Sequence, residues 1–198
     1  MIRTRWDLIN HMIEKYDYTR YLEIGLDSGE TFSKIKSSDK TSVDPAQEQY
    51  KHARPTHKMT SDEFFENVAP TLDKFDIIFI DGLHHSDQVD KDIQNSLKYL
   101  NAGGCIILHD CAPVKEEHQI VPRISRAWNG DVWKSVVRFR QTTTDLGIMV
   151  LDTDHGLGII HENIPVTPID SIPELTWSWY VQNKKDALNL VNVENFSL

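Results

Sequence analysis

The sequence predicts a doubly wound α/β fold, in which helices cover both faces of a mostly parallel β-sheet. Short apolar segments alternate along the chain with segments of helical periodicity, which is typical of right-handed β-α-β units. Two apolar segments, 75–82 and 105–110, carry few polar residues before their ends, as expected of strands buried between two layers of helices. A glycine-containing turn at 25–29 follows the first expected strand and precedes a helical segment, as such a unit requires.

The elements of the first half can be assigned in order. Large apolar residues recur at three- and four-residue intervals from Trp6 to Tyr16, which predicts an amphipathic helix that covers the sheet. The elements expected next are a strand at 21–26, a helix beginning near Phe32, a strand at 40–45, a helical segment at 46–54, a weak strand at 56–60 and a helix capped at 61–63.

The second half begins with the clearest strand, 75–82, and changes character after Asp110. A helix through 89–100, a turn at 101–104 and a strand at 105–110 follow. Beyond these we expect a helix at 124–128, an antiparallel strand pair at one sheet edge formed by 133–140 and 146–151, and a helix in the tail, which contains 177–180 and 187–191.

Length and charge restrict the class of protein. The chain has 198 residues, 39% of them hydrophobic, and a formal net charge of −9. This length fits a single domain over 1–198, which we divide into an N-terminal covering helix in 1–19, a core at 20–150 and a C-terminal extension at 165–198. The acidic balance disfavours nucleic acid as a partner, because affinity for phosphate backbones comes from lysine and arginine.

Cysteine usage and hydropathy indicate the compartment. The two cysteines, Cys105 and Cys111, form no Cys-x-x-Cys motif, which fits a reducing environment. No stretch approaches the ~18 apolar residues that span a bilayer, and no signal-peptide pattern opens the chain. We therefore expect a cytoplasmic protein without a membrane partner. Whether the protein forms a homo-oligomer is left open.

The turn after the first strand carries a binding pattern. Glu23, Gly25, Asp27 and Gly29 are spaced as Glu-x-Gly-x-x-x-Gly, and glycines there let a ligand approach the backbone. A dinucleotide fingerprint would need glycine at position 27. The Asp27 carboxylate would repel a pyrophosphate but suits an ammonium or sulfonium group, which favours S-adenosylmethionine over NAD. A plain structural turn is the alternative.

The second strand ends at Asp44, about 20 residues after the glycine turn begins, where an acidic side chain can accept hydrogen bonds from both ribose hydroxyls. Asp44 precedes Pro45 and could serve only as a turn former. The glycine turn and this acid, in this order, favour a nucleoside-containing ligand.

The sequence resembles the class I S-adenosylmethionine-dependent methyltransferases, which have a Rossmann-like fold, over residues 20 to 150. The motifs that carry the resemblance are 23–29, 42–44, 60–62, 75–84 and 100–110. The resemblance implies that Gly25, Asp27 and Gly29 line the methionine end of the cofactor, that Asp44 holds the ribose, and that Ser61 and Asp62 lie near the adenine. We count Glu23 and Asp81 among the cofactor-binding residues as well.

Two strand ends carry the expected reaction chemistry. Asp81 and Asp110 close two strands that should be neighbours, so their carboxylates could share Mg²⁺ with His109 beside them. His84 follows Asp81 by three residues, and an imidazole suits a general base at neutral pH. His85 is the second candidate base. The alternatives are that Asp81 caps a helix, that the histidines only occupy a loop, and that His109 only bonds a neighbouring loop.

These residues lead to a functional hypothesis. Within the family, the Asp-x-x-His segment resembles small O-methyltransferases, several of which act on sugars. Catechol-type enzymes are similar in layout, but they carry lysine at the position of His84. We therefore expect an S-adenosylmethionine-dependent O-methyltransferase that acts on a sugar or another small polar acceptor, with a catechol-like small-molecule enzyme as the alternative. A non-catalytic nucleotide-binding module or an NAD-dependent oxidoreductase is the alternative from another class.

Overall fold

The structure, a computed structural model, describes residues 2–46, 53–170, 172 and 174–198. The chain divides into two compact units. Unit 1 contains Met1–Leu83 and Lys91–Ile107, and unit 2 contains His84–Asp90 and Leu108–Leu198.

Unit 1 contains the predicted alternation of strands and helices. Its elements are α1 (Arg5–Tyr16), β1 (Arg20–Ile24), α2 (Glu30–Lys34), β2 (Asp39–Val43), α3 (Ser61–Asn67), a short 3₁₀ turn (Ala69–Thr71) and β3 (Phe75–Ile80). Strand β1 pairs in parallel with both β2 and β3, so that Leu22 lies opposite Thr41 on one side and Ile78 on the other. Helix α4 (Ser86–Lys98) and strand β4 (Leu100–Leu108) follow in the chain.

Local sequence signals explain where the helices of unit 1 begin. Thr4 and Asp7 form a capping box at the start of α1, and Thr60 and Glu63 form another at α3. In each box both side chains satisfy backbone N–H groups that have no partner within the helix. The caps therefore fix the first turns of both helices.

The core of unit 1 is formed by strands that are buried on both faces. Ile77, Ile78 and Phe79 of β3 are fully buried, as are Leu22 and Tyr21 of β1. This burial confirms the expectation that the apolar segment at 75–82 is a central strand.

Unit 2 combines helices with an antiparallel strand pair. Its elements are α5 (Glu116–Gln119), α6 (Trp133–Thr142), β5 (Gly147–Leu151), β6 (Leu157–His161), α7 (Trp177–Ala187), β7 (Leu190–Val191) and a final 3₁₀ turn (Val193–Asn195). Strands β5 and β6 are antiparallel, with Gly147 opposite His161, and β7 is parallel to β5.

The seven strands have the order β2-β1-β3-β4-β6-β5-β7. The predicted fold class is therefore confirmed: a mostly parallel sheet with an antiparallel pair near one edge. Among the described residues, no helix is long and apolar enough to cross a membrane.

The structure corrects several element assignments after Asp110. Residues 133–140 lie in helix α6 rather than in a strand, because Trp133, Val136 and Val137 are buried at helical spacing. The antiparallel pair therefore consists of β5 and β6. Residues 124–128 form no helix, and the tail helix covers 177–187 rather than 187–191.

Three further assignments, all before Asp110, are not found as expected among the described residues. The weak strand at 56–60 is reduced to one bridge, between His57 and Val43. Most of the helical segment expected at 46–54 lies outside the described residues. Strand β4 begins at Leu100, so the expected turn at 101–104 belongs to the strand.

Candidate functional site

The turn after β1 depends on glycine at its first bend. Gly25 has φ +89°, and a Cβ there would lie 2.1 Å from the backbone oxygen of Asp81. The N–H of Gly25 donates to the carbonyl of Val43. The ends of β1, β2 and β3 thus come so close at this point that any side chain would collide with backbone.

The carboxylate of Asp44 organises the same turn. Its Oδ2 accepts hydrogen bonds from the backbone N–H groups of Leu26, at 2.8 Å, and Asp27, at 3.3 Å. Its Oδ1 accepts from the N–H of Ala46 at 2.6 Å. A carboxylate has about four acceptor positions, so Asp44 keeps capacity for a further donor such as a ribose hydroxyl.

Gly29 and Asp27 complete the turn. Gly29 precedes α2 with φ +74°, and a Cβ there would lie 2.7 Å from Cβ of Ala53. Asp27 also has a positive φ, +42°, and is exposed. The turn is therefore open to solvent at Asp27 and tightly packed at both glycines.

A buried acidic group lies in β1, two residues before Gly25. Glu23 of β1 is 1% exposed, and burial raises its pKa to about 8. The hydroxyl of Tyr21 donates to Glu23 Oε2, and the pKa of Tyr21 is also raised, first by burial and then by the charge of Glu23. Glu23 is therefore mostly protonated at pH 7, and its predicted contact with the cofactor stays a prediction.

Asp81, which directly follows β3, is paired with a residue that no sequence pattern selects. Nη1 of Arg5 lies 2.9 Å from Asp81 Oδ2. Arg5 is the first residue of α1, and nothing in its local sequence marks it as a neighbour of a strand end. The ion pair restrains one carboxylate oxygen of Asp81, the residue whose backbone packs against Gly25.

Ser61 and Asp62 lie in the first turn of α3. Asp62 is exposed and lies 3.5 Å from Nζ of Lys91, whereas Ser61 is half-buried. Their predicted position near an adenine stays a prediction. All the predicted cofactor-binding residues, from Glu23 to Asp81, belong to unit 1.

Unit 2 contains a histidine and aspartate pair. Nδ1 of His84 lies 3.2 Å from Oδ2 of Asp110, and the two side chains are 18% and 7% exposed. Both residues have a positive φ, +58° for His84 and +61° for Asp110, a conformation that is uncommon for residues other than glycine. Such strain at two partially buried polar residues is typical of functional sites.

His109 shares the same carboxylate. Its Nδ1 lies 3.0 Å from Asp110 Oδ2, and its Nε2 lies 3.6 Å from Asp154 Oδ1. The ring is almost completely buried. The structure thus brings His84, His109 and Asp110 together, as the sequence predicted for the two strand-end residues and the candidate base.

The second candidate base contacts an aromatic residue. His85 lies edge-on to Trp128, whose ring is stacked on His84 at a centroid distance of 5.2 Å. Asn129 also enters the site, because its Nδ2 donates to Asp110 Oδ1 at 2.9 Å. Sequence reasoning missed both contacts; the only available signal was the Trp-Asn-Gly-Asp run at 128–131, which reads as a turn.

Comparison with known proteins supports the resemblance seen in the sequence. Residues 22–111 match a family model described as a methyltransferase domain. No curated protein matches the chain.

Solved structures share the fold at low sequence identity. A Staphylococcus aureus protein assigned as a caffeoyl-CoA O-methyltransferase is 22% identical, with a TM-score of 0.60 over 82% of this chain and 85% of its own. An O-methyltransferase from Bacillus cereus, solved with SAH, is 14% identical, with a TM-score of 0.59 over 79% and 80%. MycE, from the mycinamycin biosynthetic pathway, was solved with Mg and SAH; it is 13% identical, with a TM-score of 0.50 over 90% and 54%.

The family model covers the glycine turn, β2, β3 and the strand end at Asp110, and the structural neighbours share the sheet on which these residues lie. Residues 22–111 therefore match a methyltransferase domain, and the chain shares its fold with solved O-methyltransferases.

Proposed function

We propose that this protein transfers a methyl group from S-adenosylmethionine to a hydroxyl oxygen, with His84 as the general base. The observation that carries the proposal is the His84–Asp110 pair, with Nδ1 and Oδ2 3.2 Å apart, in a chain whose residues 22–111 match a methyltransferase domain. Methyl transfer to oxygen requires removal of the hydroxyl proton, and an imidazole does this at neutral pH.

The residues of unit 1 fit the cofactor. Gly25 packs against the backbone of Asp81 with no room for a Cβ, and this packing fixes the turn that would bind the cofactor. Asp27 would accept from the amino group of the methionine part, Asp44 from the ribose, and Ser61 and Asp62 would lie near the adenine. Glu23, Gly29 and Asp81 complete the proposed cofactor-binding set. When bound, S-adenosylmethionine supplies an electrophilic methyl group on a sulfonium.

The pair in unit 2 moves the proton. When Nδ1–H of His84 donates to Asp110, the lone pair of the imidazole is on Nε2. Nε2 would take the hydroxyl proton while the new bond from oxygen to carbon forms and the bond from carbon to sulfur breaks. Asp110 then stabilises the imidazolium. His85, whose ring contacts the same Trp128, is the second candidate base.

A divalent cation forms a second part of the proposal. The donors we propose are the three that the strand-end pattern of the sequence predicts, Asp81, His109 and Asp110. Carboxylates and an imidazole are suitable ligands for such a cation, and MycE, with a similar fold, was solved with Mg. Bound Mg²⁺ would lower the pKa of the acceptor hydroxyl. Isothermal titration with Mg²⁺ tests this part: we expect binding by the wild type and loss of binding in Asp110→Asn.

The proposed acceptor is a sugar or another small polar molecule. The side chains of the reactive residues, His84, His85 and Asp110, are all capable of hydrogen bonding, which suits an acceptor with several hydroxyls. The likeness to a protein assigned as a caffeoyl-CoA O-methyltransferase makes a phenolic or catechol acceptor the second candidate.

The experiment combines cofactor binding with methyl transfer. We expect S-adenosylhomocysteine to bind by isothermal titration and NAD not to bind. The enzyme is then incubated with methyl-labelled S-adenosylmethionine and a panel of sugars, glycosides and catechols. His84→Ala should reduce methyl transfer to the best acceptor by about 100-fold or more, whereas His85→Ala should leave most of it.

Two results would contradict the proposal. Binding of NAD without S-adenosylhomocysteine would exclude the methyltransferase reaction. Near-normal turnover in His84→Ala, together with loss in His85→Ala, would move the base to His85.

A further inference from the structure

We propose that Trp128–Asp131, here called the clamp, contains the positioning residues that hold His84 and Asp110 in their reactive arrangement. This inference rests on the proposed function of His84 as the base. Each residue of the clamp contacts His84, Asp110 or the segment that carries His84. All of them, with His84 and Asp110, belong to unit 2.

The clamp first holds the strained backbone of His84. The N–H of Asp131 donates to the carbonyl of His84 at 3.2 Å. Gly130 lies against the same carbonyl, so that a Cβ on residue 130 would lie 1.9 Å from the His84 oxygen. A positive φ at a residue other than glycine is energetically unfavourable and persists only where the surroundings enforce it. Gly130 and Asp131 supply such surroundings.

The clamp also fixes the two reactive side chains. The indole of Trp128 is stacked on the His84 imidazole, with an interplanar angle of 12°. Nδ2 of Asn129 donates to Asp110 Oδ1 at 2.9 Å, while the other oxygen, Oδ2, faces His84. One face of the base and one oxygen of its partner are therefore both held by adjacent residues.

The clamp is itself rigidly attached within unit 2. The N–H groups of Asn129 and Gly130 both donate to the carbonyl of His118, at 2.8 and 3.1 Å. The indole N–H of Trp128 donates to the carbonyl of Ile120 at 2.7 Å. Asn129 is 1% exposed. A segment with this much backbone and side-chain bonding resists the small displacements that reduce catalysis.

Asp131 connects the clamp to the helix that follows His84. Its Oδ1 accepts from the N–H of Ser86 at 2.7 Å, and its Oδ2 accepts from the Ser86 hydroxyl at 3.0 Å. Ser86 is the first residue of α4. The short segment between Asp81 and Ser86 therefore ends at a fixed point, and His84 cannot turn without disturbing the start of α4.

The test measures the His84 ring directly. In protein labelled with ¹⁵N-histidine, the ring signals of His84 are assigned from their loss in His84→Gln. Trp128→Ala should move them downfield, because the ring current of the stacked indole is lost, whereas Trp128→Phe should restore most of the shift. Asn129→Ala should change the tautomer signature of His84 through Asp110. The control Asn183→Ala, which removes a hydrogen bond to Trp179 within α7, should change neither.

Activity provides the second readout. Trp128→Ala and Asn129→Ala should lower kcat for the best acceptor of the panel by about 10- to 100-fold, as is typical for residues that orient a reactive group. The Kd for S-adenosylhomocysteine should stay unchanged. Asn129→Ser replaces Asn129→Ala if the latter does not fold, and Trp128→Phe keeps the aromatic packing.

The outcomes separate the two proposals. Unchanged His84 signals and unchanged kcat in the Trp128 and Asn129 variants would overturn the clamp. If His84→Ala keeps full activity while Trp128→Ala still shifts the His84 signals, the proposed base is wrong, and the catalytic role of the clamp is overturned with it although the stacking is present.

Discussion

At the scale of single residues, the ionisation of Glu23 is coupled to folding. Burial raises its pKa to about 8 from an ordinary value of 4.5. The folded protein therefore retains a proton that the unfolded chain releases between those values. Stability should fall as the pH rises from about 4.5 to about 8, by up to a few kcal/mol.

Glu23→Gln tests this coupling. The glutamine carbonyl can still accept from Tyr21, and the group no longer titrates. We expect the free energy of unfolding of the variant to exceed that of the wild type at pH 8 and to approach it at pH 5, as measured by urea denaturation. Equal pH slopes in the two proteins would contradict the prediction.

Asp76 provides a control of opposite sign. Burial raises its pKa, but hydrogen bonds from the backbone of Thr19 and from Asn101 outweigh burial, so that the pKa is lowered. Its contribution to stability is present above about pH 4 and is lost in acid. Asp76→Asn should therefore destabilise the protein equally at pH 5 and pH 8.

At the scale of elements, the glycine turn after β1 should not tolerate a side chain. Gly25→Ala places a Cβ against the Asp81 carbonyl in a left-handed conformation, which costs about 1–3 kcal/mol from the backbone alone. We expect a lower melting temperature and weaker binding of S-adenosylhomocysteine, measured by calorimetry at a temperature where the variant is folded.

The neighbouring Gly82 provides a matched comparison. A Cβ there would meet Cγ2 of Ile24 at 3.5 Å, which is ordinary contact. Gly82→Ala should therefore keep both stability and affinity close to those of the wild type. If Gly82→Ala proves as damaging as Gly25→Ala, the close approach of backbone at Gly25 is not the cause.

Two arginines of α6, one buried and one exposed, provide a second comparison of this kind. Arg140 is buried, and its guanidinium donates to the carbonyls of Thr167, at 2.7 Å, and Ala187, at 3.1 Å, the latter at the end of α7. Arg140→Ala leaves these acceptors unsatisfied, so we expect a loss of more than about 2 kcal/mol. Arg138 pairs with Asp87 and Asp90 at the surface.

Arg138→Ala should change stability by only about 0–1 kcal/mol, because exposed ion pairs contribute little. Urea denaturation of both variants provides the comparison. Similar losses at the two positions would show that the carbonyl contacts of Arg140 do not hold the end of α7.

At the scale of the whole molecule, the sequence was informative where local patterns decide the structure. Strand alternation and the cap expected at 61–63 predicted most of the elements before Asp110. The pattern was ambiguous at 133–140, because Trp133, Val136, Val137 and Phe139 are all buried and all favour strands by type. Burial over most of the helix surface hid the helical period.

The residues of the candidate site were likewise predictable only where a local sequence pattern marks them. Strand ends identified Asp81, His84, His109 and Asp110, because polar residues there follow apolar runs. The stacking of Trp128 on His84 and the ion pair of Arg5 with Asp81 join residues far apart in sequence. No local pattern indicates which distant residue lies beside a strand end, so these contacts required the structure.

The division of the chain into units leads to a final prediction about cofactor binding. All proposed cofactor residues lie in unit 1, and the His84–Asp110 pair lies in unit 2. S-adenosylhomocysteine at 100 times its Kd stabilises the bound state by about 2.7 kcal/mol, which slows amide exchange by about 100-fold where opening releases the ligand. Hydrogen exchange read by mass spectrometry should show this protection in peptides from β1, β2 and α3, and little in β5 and β6. Protection concentrated in β5 and β6 would place the cofactor in unit 2 and contradict the assignment of the glycine turn.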